Sequence, residues 1–248
     1  MIVIPMAGLS KRFAEAGYSR PKYMLPLAGK SVFDHAVESF RSLFDQEQFL
    51  FIVRDIENSP AFVEGSCATL GLRNAQIAML EAPTAGQAET VELGLRVAAN
   101  DGDVPLTIFN IDTFRPNFRF PTDTWFRNSD GYLEVFRGEG ANWSYVRPSA
   151  NEPNLALETA EKRPISDLCC TGLYHFAKTS QFLAAVAEEH RNPSSRELYV
   201  APLYNHLIGK GARIHYQLIQ PEEVVFCGVP AEYRRLLAVA QNGGLTKR

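Results

Sequence analysis

The chain has 248 residues, 46% hydrophobic and 21% charged, which suits an α/β domain with a sizeable core and excludes a disordered polypeptide. A net charge of −3 gives no bulk attraction for nucleic acid, so any anion site must be built locally. No apolar run approaches the ~18 residues of a membrane span, and residues 1–8 have neither the basic nor the apolar region of a signal peptide; a cytoplasmic protein with no nucleic-acid or membrane partner is expected.

Ile2-Val3-Ile4 reads as a short buried strand, followed by a loop that contains Gly8 and Ser10. Ser31 is placed to cap a helix over 32–43, with Val32, Ala36, Val37, Phe40 and Leu43 on one stripe. A strand at 49–53 comes next, then a helix over 59–70 with Pro60 at its first position. A strand at 75–80 leads into a glycine loop and a helix within 84–98, and a strand at 106–110 ends near Asp112. This alternation predicts a mostly parallel, twisted, Rossmann-like sheet with helices on both faces. Ligands in such sheets sit outside the carboxyl ends of the strands. The polar segments 7–22, 83–90 and 110–113 all fall there, so they are expected to meet around one crevice.

Beyond Asp112 the strands shorten, at 132–136, 143–147, 154–158 and 169–176. Helices are expected over 178–190 and 195–209, strands near 213–219 and 224–227, and a last helix over 230–241. This β-rich half should complete the same crevice. Trp143 and Tyr145 alternate with Ser144 and read as one packed strand face. His35 and His206 read as structural or surface residues. Cys67, Cys169, Cys170 and Cys227 show no metal-ligand spacing and read as reduced structural thiols, with the adjacent Cys169 and Cys170 pointing to opposite faces.

The chemistry begins in the segment from Ala7 to Phe13, followed by Pro21-Lys22. A small-residue turn after a buried strand lets backbone N–H groups approach phosphate oxygens. Arg12 can grip a phosphate with two parallel hydrogen bonds, and Lys22 can act as a point charge. Gly29-Lys30-Ser31 is not the end of a P-loop, because Met24 stands at the required upstream glycine. The 8–13 segment is not the dinucleotide fingerprint, because Ser10 and Phe13 replace two of its glycines.

The opening resembles the signature of the sugar-phosphate nucleotidyltransferase (nucleoside-diphosphate-sugar pyrophosphorylase) family, A-G-x-G-T-R followed by P-K. Ala7, Gly8, Arg12, Pro21 and Lys22 match, and Ser10 replaces the second glycine. Gly86-Gln87-Ala88 resembles the family's G-T-A loop, and Asp112 its metal-binding aspartate. Glu161-Lys162 with Pro164 resembles its E-K-P element, Thr171-Gly172-Leu173-Tyr174 its T-G-I-Y strand, and Gly228-Val229-Pro230 its late G-T-P turn. The matches run in family order over nearly the whole chain, in a form similar to a branch from capsule and surface-polysaccharide loci that includes cytidylyltransferases.

The resemblance implies one nucleotidyltransferase domain of the GT-A type, with residues 1–113 binding nucleotide and 114–248 binding acceptor. It implies transfer of a nucleoside monophosphate from CTP, UTP or dTTP to a phosphorylated acceptor such as a sugar 1-phosphate. On this reading Asp112 holds Mg²⁺, Arg12 the β- and γ-phosphates, and Lys22 the charge at the α-phosphate. Ala7, Gly8, Leu9, Ser10, Gly86, Gln87 and Asn110 hold the nucleotide, while Glu161, Lys162 and Gly172 face the acceptor. A homo-oligomer is compatible with it. One departure stands out: the family's second metal-binding aspartate is Phe226 here. The metal is then held by Asp112, phosphates and water, or Glu222 or Glu223 substitutes, or catalysis is impaired. Two other readings stay open at this point. Asn110-Ile111-Asp112 also suits a glycosyltransferase that uses a nucleotide sugar, and Phe226 also suits a nucleotide-binding regulator without turnover.

Overall fold

The computed structural model describes residues 1–99 and 102–241. Strand β1 (Ile2–Pro5) opens the chain and gives way to a loop and a short helix α1 (Lys11–Glu15). A small hairpin of β2 (Pro26–Leu27) and β3 (Lys30–Ser31) leads to α2 (Val32–Glu38). Ser31 caps α2 as its sequence position predicts: its hydroxyl accepts from the Asp34 N–H, and the Asp34 carboxylate accepts from the Ser31 N–H. The helix stops at Glu38, and a 3₁₀ turn at Arg41–Leu43 covers the rest of the expected span. The Ser39 hydroxyl there accepts from the distant Arg115 N–H.

Next come β4 (Phe49–Val53), α3 (Ser59–Leu70), β5 (Ala75–Met79), α4 (Gln87–Val97) and β6 (Leu106–Phe109). Helix α3 is capped by the left-handed Asn58, so Pro60 stands one place later than expected. The second half runs through β7 (Thr113–Phe114), α5 (Thr124–Arg127), β8 (Gly131–Arg137), β9 (Ser144–Pro148), β10 (Ala156–Glu161) and β11 (Leu168–Phe176). It ends with α6 (Thr179–Arg191), α7 (Leu203–Ile208), β12 (Ile214–Leu218), β13 (Val225–Phe226) and α8 (Pro230–Gln241). The start of β10 lies two residues later than predicted. Asn154 is left-handed at φ 62° and spends its amide on the Tyr216 carbonyl, so the strand cannot begin there.

Nine strands form one sheet in the order β10-β9-β11-β6-β1-β4-β5, with β8 joining β11 to β12. The α/β class and the layering are as the alternation predicts. Parallel pairing, however, holds β6-β1-β4-β5 and β8-β12, whereas β11 pairs antiparallel with β6, β8 and β9. β1 lies between β4 and β6, so the loop after Pro5 emerges at the middle of the sheet. Alternation along β1 splits the core between the two faces. Val3 joins Leu50, Val91 and Ile108, while Ile2 and Ile4 join Phe33, Val37 and Phe51. Cys169 and Cys170 likewise fall in different clusters, and all four cysteines are buried and unpaired. No helix among the described residues is long and apolar enough to cross a membrane.

His175 of β11 is buried beside Thr107, whose hydroxyl is 2.9 Å from Nδ1. Burial, reinforced by the N-terminal ammonium, pushes its pKa down to about 3. The unfolded chain therefore takes up a proton near pH 6.5 that the folded chain refuses. Stability should fall by about 1.4 kcal/mol per pH unit as pH drops from ~6.5 toward ~3. Urea midpoints of the protein and of His175→Gln, compared at pH 7 and pH 5, check this; the variant should show a shallower decline.

Candidate active site

Two cavities open at the carboxyl ends of β1 and β6. The first, of about 630 Å³, is lined by residues 7–11, Lys22, residues 83–87, Asn110, Asp112 and Glu197. The second, of about 400 Å³, shares Gln87, Asn110, Asp112 and Glu197 with it and extends past Gly172, Trp143, Glu161 and Phe226. The four shared residues form the boundary between the two spaces. The segments 7–22, 83–90 and 110–113 thus meet around one crevice, as strand order predicts.

The loop after β1 is set by its backbone. Met6 N–H closes on the Ile52 carbonyl, after which Ala7, Gly8, Leu9 and Ser10 leave the sheet. Ser10 is left-handed at φ 48°, ψ 34°, a conformation that favours glycine. That is the place where the resembled signature carries its second glycine. Lys11 faces the first cavity, whereas Arg12 is exposed and faces the second.

Lys22 starts a 3₁₀ turn closed by the Met24 N–H on the Pro21 carbonyl. Its neighbour Tyr23 is buried, with its hydroxyl 2.7 Å from the Ser59 hydroxyl. This anchoring aims the Lys22 ammonium across the crevice, where it donates to Asp112 Oδ2 at 2.5 Å. Asp112 sits in the turn between β6 and β7, and its carbonyl accepts from the Cys227 N–H. Arg12 comes to the Asp112 side from the second cavity and has no ion-pair partner among the described residues.

Gly86 precedes α4, and a Cβ on it would overlap the Leu198 backbone. The Ala88 N–H donates to the Leu198 carbonyl at 2.9 Å, and the Leu198 N–H donates to the Ala85 carbonyl at 3.0 Å. These long-range bonds displace the local bonds that a helix over 195–209 would need, so only Leu203–Ile208 is helical. Gly86→Ala should push the two segments apart. We expect a loss of about 1–3 kcal/mol of stability, read by thermal unfolding.

Gln87 Nε2 donates to Asn110 Oδ1 at 2.6 Å. The Asn110 N–H in turn donates to the Gly172 carbonyl. Gly172 has φ 98°, and a Cβ there would collide with the Asn110 amide. It lies at the irregularity where the β11–β8 register shifts between Cys170 and Tyr174.

In the second cavity, the Glu161 carboxylate accepts from the Ser144 hydroxyl. Burial raises the Glu161 pKa against the opposing pull of Ser144 and Lys162. Lys162 is left-handed at φ 54°, and its N–H donates to the Trp143 carbonyl. Its ammonium donates to the Tyr199 hydroxyl at 2.5 Å, and that hydroxyl donates to the Glu197 carboxylate.

Phe226 packs its ring 4.7 Å from Trp143 and 5.1 Å from Phe136, so Trp143 and its neighbours form an apolar wall of the second cavity. Glu222 and Glu223 line neither cavity. Glu223 is drawn instead to Arg115, which donates to its carbonyl at 2.8 Å and lies 3.7 Å from its carboxylate. Glu232 does face the second cavity, and its carboxylate accepts from the Gly228 and Val229 N–H groups beside Asp112. Among the described residues, no three His, Cys, Asp or Glu side chains are grouped to hold a metal ion. Lys11, Glu197, Tyr199 and Glu232 are among the lining residues that the sequence did not single out as site residues. Glu197 and Tyr199 carried a signal only through their position near the start of the expected helix.

No family model matches the chain, and no curated protein sequence matches it. Among solved structures, the nucleoside-diphosphate-sugar pyrophosphorylase from Vibrio cholerae RC9 is 51% identical, with a TM-score of 0.92 over 96% of this chain and 100% of that one. An apo UDP-glucose pyrophosphorylase (16% identity, TM-score 0.77, 98% of each chain) shares the fold. So does the inositol-1-phosphate CTP transferase from T. maritima (12% identity, TM-score 0.73, 98% of this chain and 96% of that one).

Proposed function

Since this chain belongs to the nucleoside-diphosphate-sugar pyrophosphorylase family, we propose that it moves a nucleoside monophosphate from CTP, UTP or dTTP to a phosphorylated acceptor and releases pyrophosphate, in the supply of surface-polysaccharide precursors. The observation that carries this reading is the Lys22–Asp112 pair at the boundary between the two cavities. A triphosphate in the first and an acceptor in the second would bring their reacting phosphates together there.

The acceptor's phosphate monoester has a second pKa near ~6 and is largely dianionic at neutral pH, so its oxygen attacks the α-phosphorus without a general base. The α–β P–O bond breaks and pyrophosphate departs. What the protein supplies is position and positive charge. Lys22 stands nearest the α-phosphate. Lys11 is the other cation that faces the first cavity, on the side from which pyrophosphate departs, whereas Arg12, expected at the β- and γ-phosphates, faces the second. Residues 7–10 and Gly86-Gln87 hold the nucleoside, with the Gln87 amide, steadied by Asn110, offering both donor and acceptor to a base. Lys162, which lines neither cavity but reaches the Tyr199 hydroxyl that borders the second, takes the acceptor phosphate, and Glu161, inside that cavity, its hydroxyls.

The residues fit Mg²⁺. Asp112 offers a hard oxygen, and Gly228 leaves its approach open, since a Cβ there would lie 3.1 Å from Oδ2. Mg²⁺ takes one or two carboxylates and completes its shell with phosphates and water, so Phe226 is compatible with it. Held by Asp112, with phosphates and water completing its shell, Mg²⁺ would supply positive charge to the phosphates.

The test is a pyrophosphate-release screen of CTP, UTP and dTTP, with Mg²⁺, against sugar 1-phosphates and smaller phosphomonoesters. Release with one triphosphate and one acceptor class is expected. Sugar transfer from a nucleotide sugar, or tight nucleotide binding without release across the panel, sinks the reading.

A further inference from the structure

The geometry points to Tyr199 as a positioning residue that presents the Lys162 ammonium to the phosphate of the acceptor. The inference rests on the reading of Lys162 as the acceptor's phosphate anchor and goes beyond it by assigning what aims that lysine.

Lys162 follows β10 in a left-handed conformation, held by its N–H on the Trp143 carbonyl. A non-glycine residue in that region is strained, and such strain persists only where the surroundings hold it. It turns the side chain toward the 197–199 segment. The ammonium there meets the Tyr199 hydroxyl at 2.5 Å and lies 4.6 Å from the ring centroid. Tyr199 therefore holds the lysine by a hydrogen bond from its ammonium to the phenol oxygen.

The phenol's bonds have a fixed direction. It accepts from Lys162 and donates to Glu197, so the three groups form an ordered ammonium–phenol–carboxylate chain. Glu161 is the other carboxylate facing the ammonium, and it stands farther off at 3.9 Å. The hydrogen bond to Tyr199 leads the influences that raise the lysine's pKa, with Glu161 and Glu197 adding to it. Without Tyr199 the half-exposed lysine stem is free to sample solvent, and ordering it again falls on each acceptor that binds.

Tyr199 does not owe its place to Lys162. Leu198, its chain neighbour, is bound on both sides of its peptide to Ala85 and Ala88. The phenol is thus carried on a support fixed from the opposite wall of the crevice. A solvated surface tyrosine has no such support.

The experiment is amine acylation of the full-length chain, with the modification of Lys162 followed by mass spectrometry as pH is raised, with and without inorganic phosphate as the probe. Tyr199→Phe keeps the ring and removes the hydroxyl; Tyr199→Leu removes both. In the unaltered protein, phosphate should protect Lys162. In Tyr199→Phe, Lys162 should become reactive at lower pH, and half-protection should need about five- to tenfold more phosphate. Tyr199→Leu should need about as much, with triphosphate affinity and thermal midpoint within error for both variants. An unchanged lysine profile and unchanged protection in Tyr199→Phe overturns the role of Tyr199 and leaves the anchor reading intact. Absence of protection in the unaltered protein overturns the anchor reading and this inference with it. Loss of triphosphate affinity or of the thermal midpoint in Tyr199→Phe makes the residue a structural brace and overturns positioning.

Discussion

Asp112→Asn is expected to lower turnover by about 10³-fold while the protein stays folded. The substitution preserves shape and removes one negative charge. That charge faces Lys22 at 2.5 Å and borders both cavities, so its loss unbalances the point where the two substrates would meet. Both side chains are about one-fifth exposed, and an ion pair so placed stabilises the fold by no more than about 1 kcal/mol. The thermal midpoint should therefore shift little, whereas kcat and kcat/KM fall together, the pattern of an interaction made in the transition state. Activity within a few-fold of the unaltered protein, at saturating Mg²⁺, would remove Asp112 from the chemistry.

Arg115→Ala should have the largest effect on stability, a loss of about 3–5 kcal/mol. Its guanidinium donates from Nε to both Glu134 carboxylate oxygens at 2.9 Å, and Glu134 is 0% exposed. The Thr171 hydroxyl donates to the same carboxylate at 3.0 Å. Burial raises the Glu134 pKa, and Arg115 is the chief influence that opposes it. Removing the arginine leaves a buried carboxylate with a single hydroxyl. The double variant Arg115→Ala/Glu134→Gln removes that uncompensated charge and should regain part of the loss. Urea unfolding of the three proteins reads both numbers. Equal stability of the single and double variants would mean that the loss comes from packing around Arg115 rather than from the stranded charge.

The parallel core was legible because strand–helix–strand spacing and apolar runs are local signals, and β1, β4, β5 and β6 lie within a few residues of their expected places. The crevice followed from the rule that such strands gather their carboxyl-end loops. The second half was harder to read. Its strands mix antiparallel pairing with the parallel β8–β12 pair, and no local period reports that β11 pairs with β6, β8 and β9 at once. Residues 195–202 carry a helix-compatible pattern, yet the pull of Ala85 and Ala88 on Leu198 overrides it. For Glu197 and Tyr199 the sequence offers only a position near a helix start, and their place at the cavities depends on that long-range pull. Phe226 announced itself as a departure in the sequence. That its place is filled by packing with Trp143 and Phe136, and that the carboxylate beside Gly228 belongs to Glu232 rather than to Glu222 or Glu223, depends on how α8 meets β13.

The interlock of Gly86 with Leu198 constrains how such a protein can diversify. Under the proposed reading, one side of that seam touches the donor and the other the acceptor. A mutation that reshapes residues 85–88 for a different base must also drag the 197–199 stretch, because no slack separates them. Lineages that trade one donor for another are then expected to carry paired changes across the seam, and single-step switches of donor should be rare among their descendants.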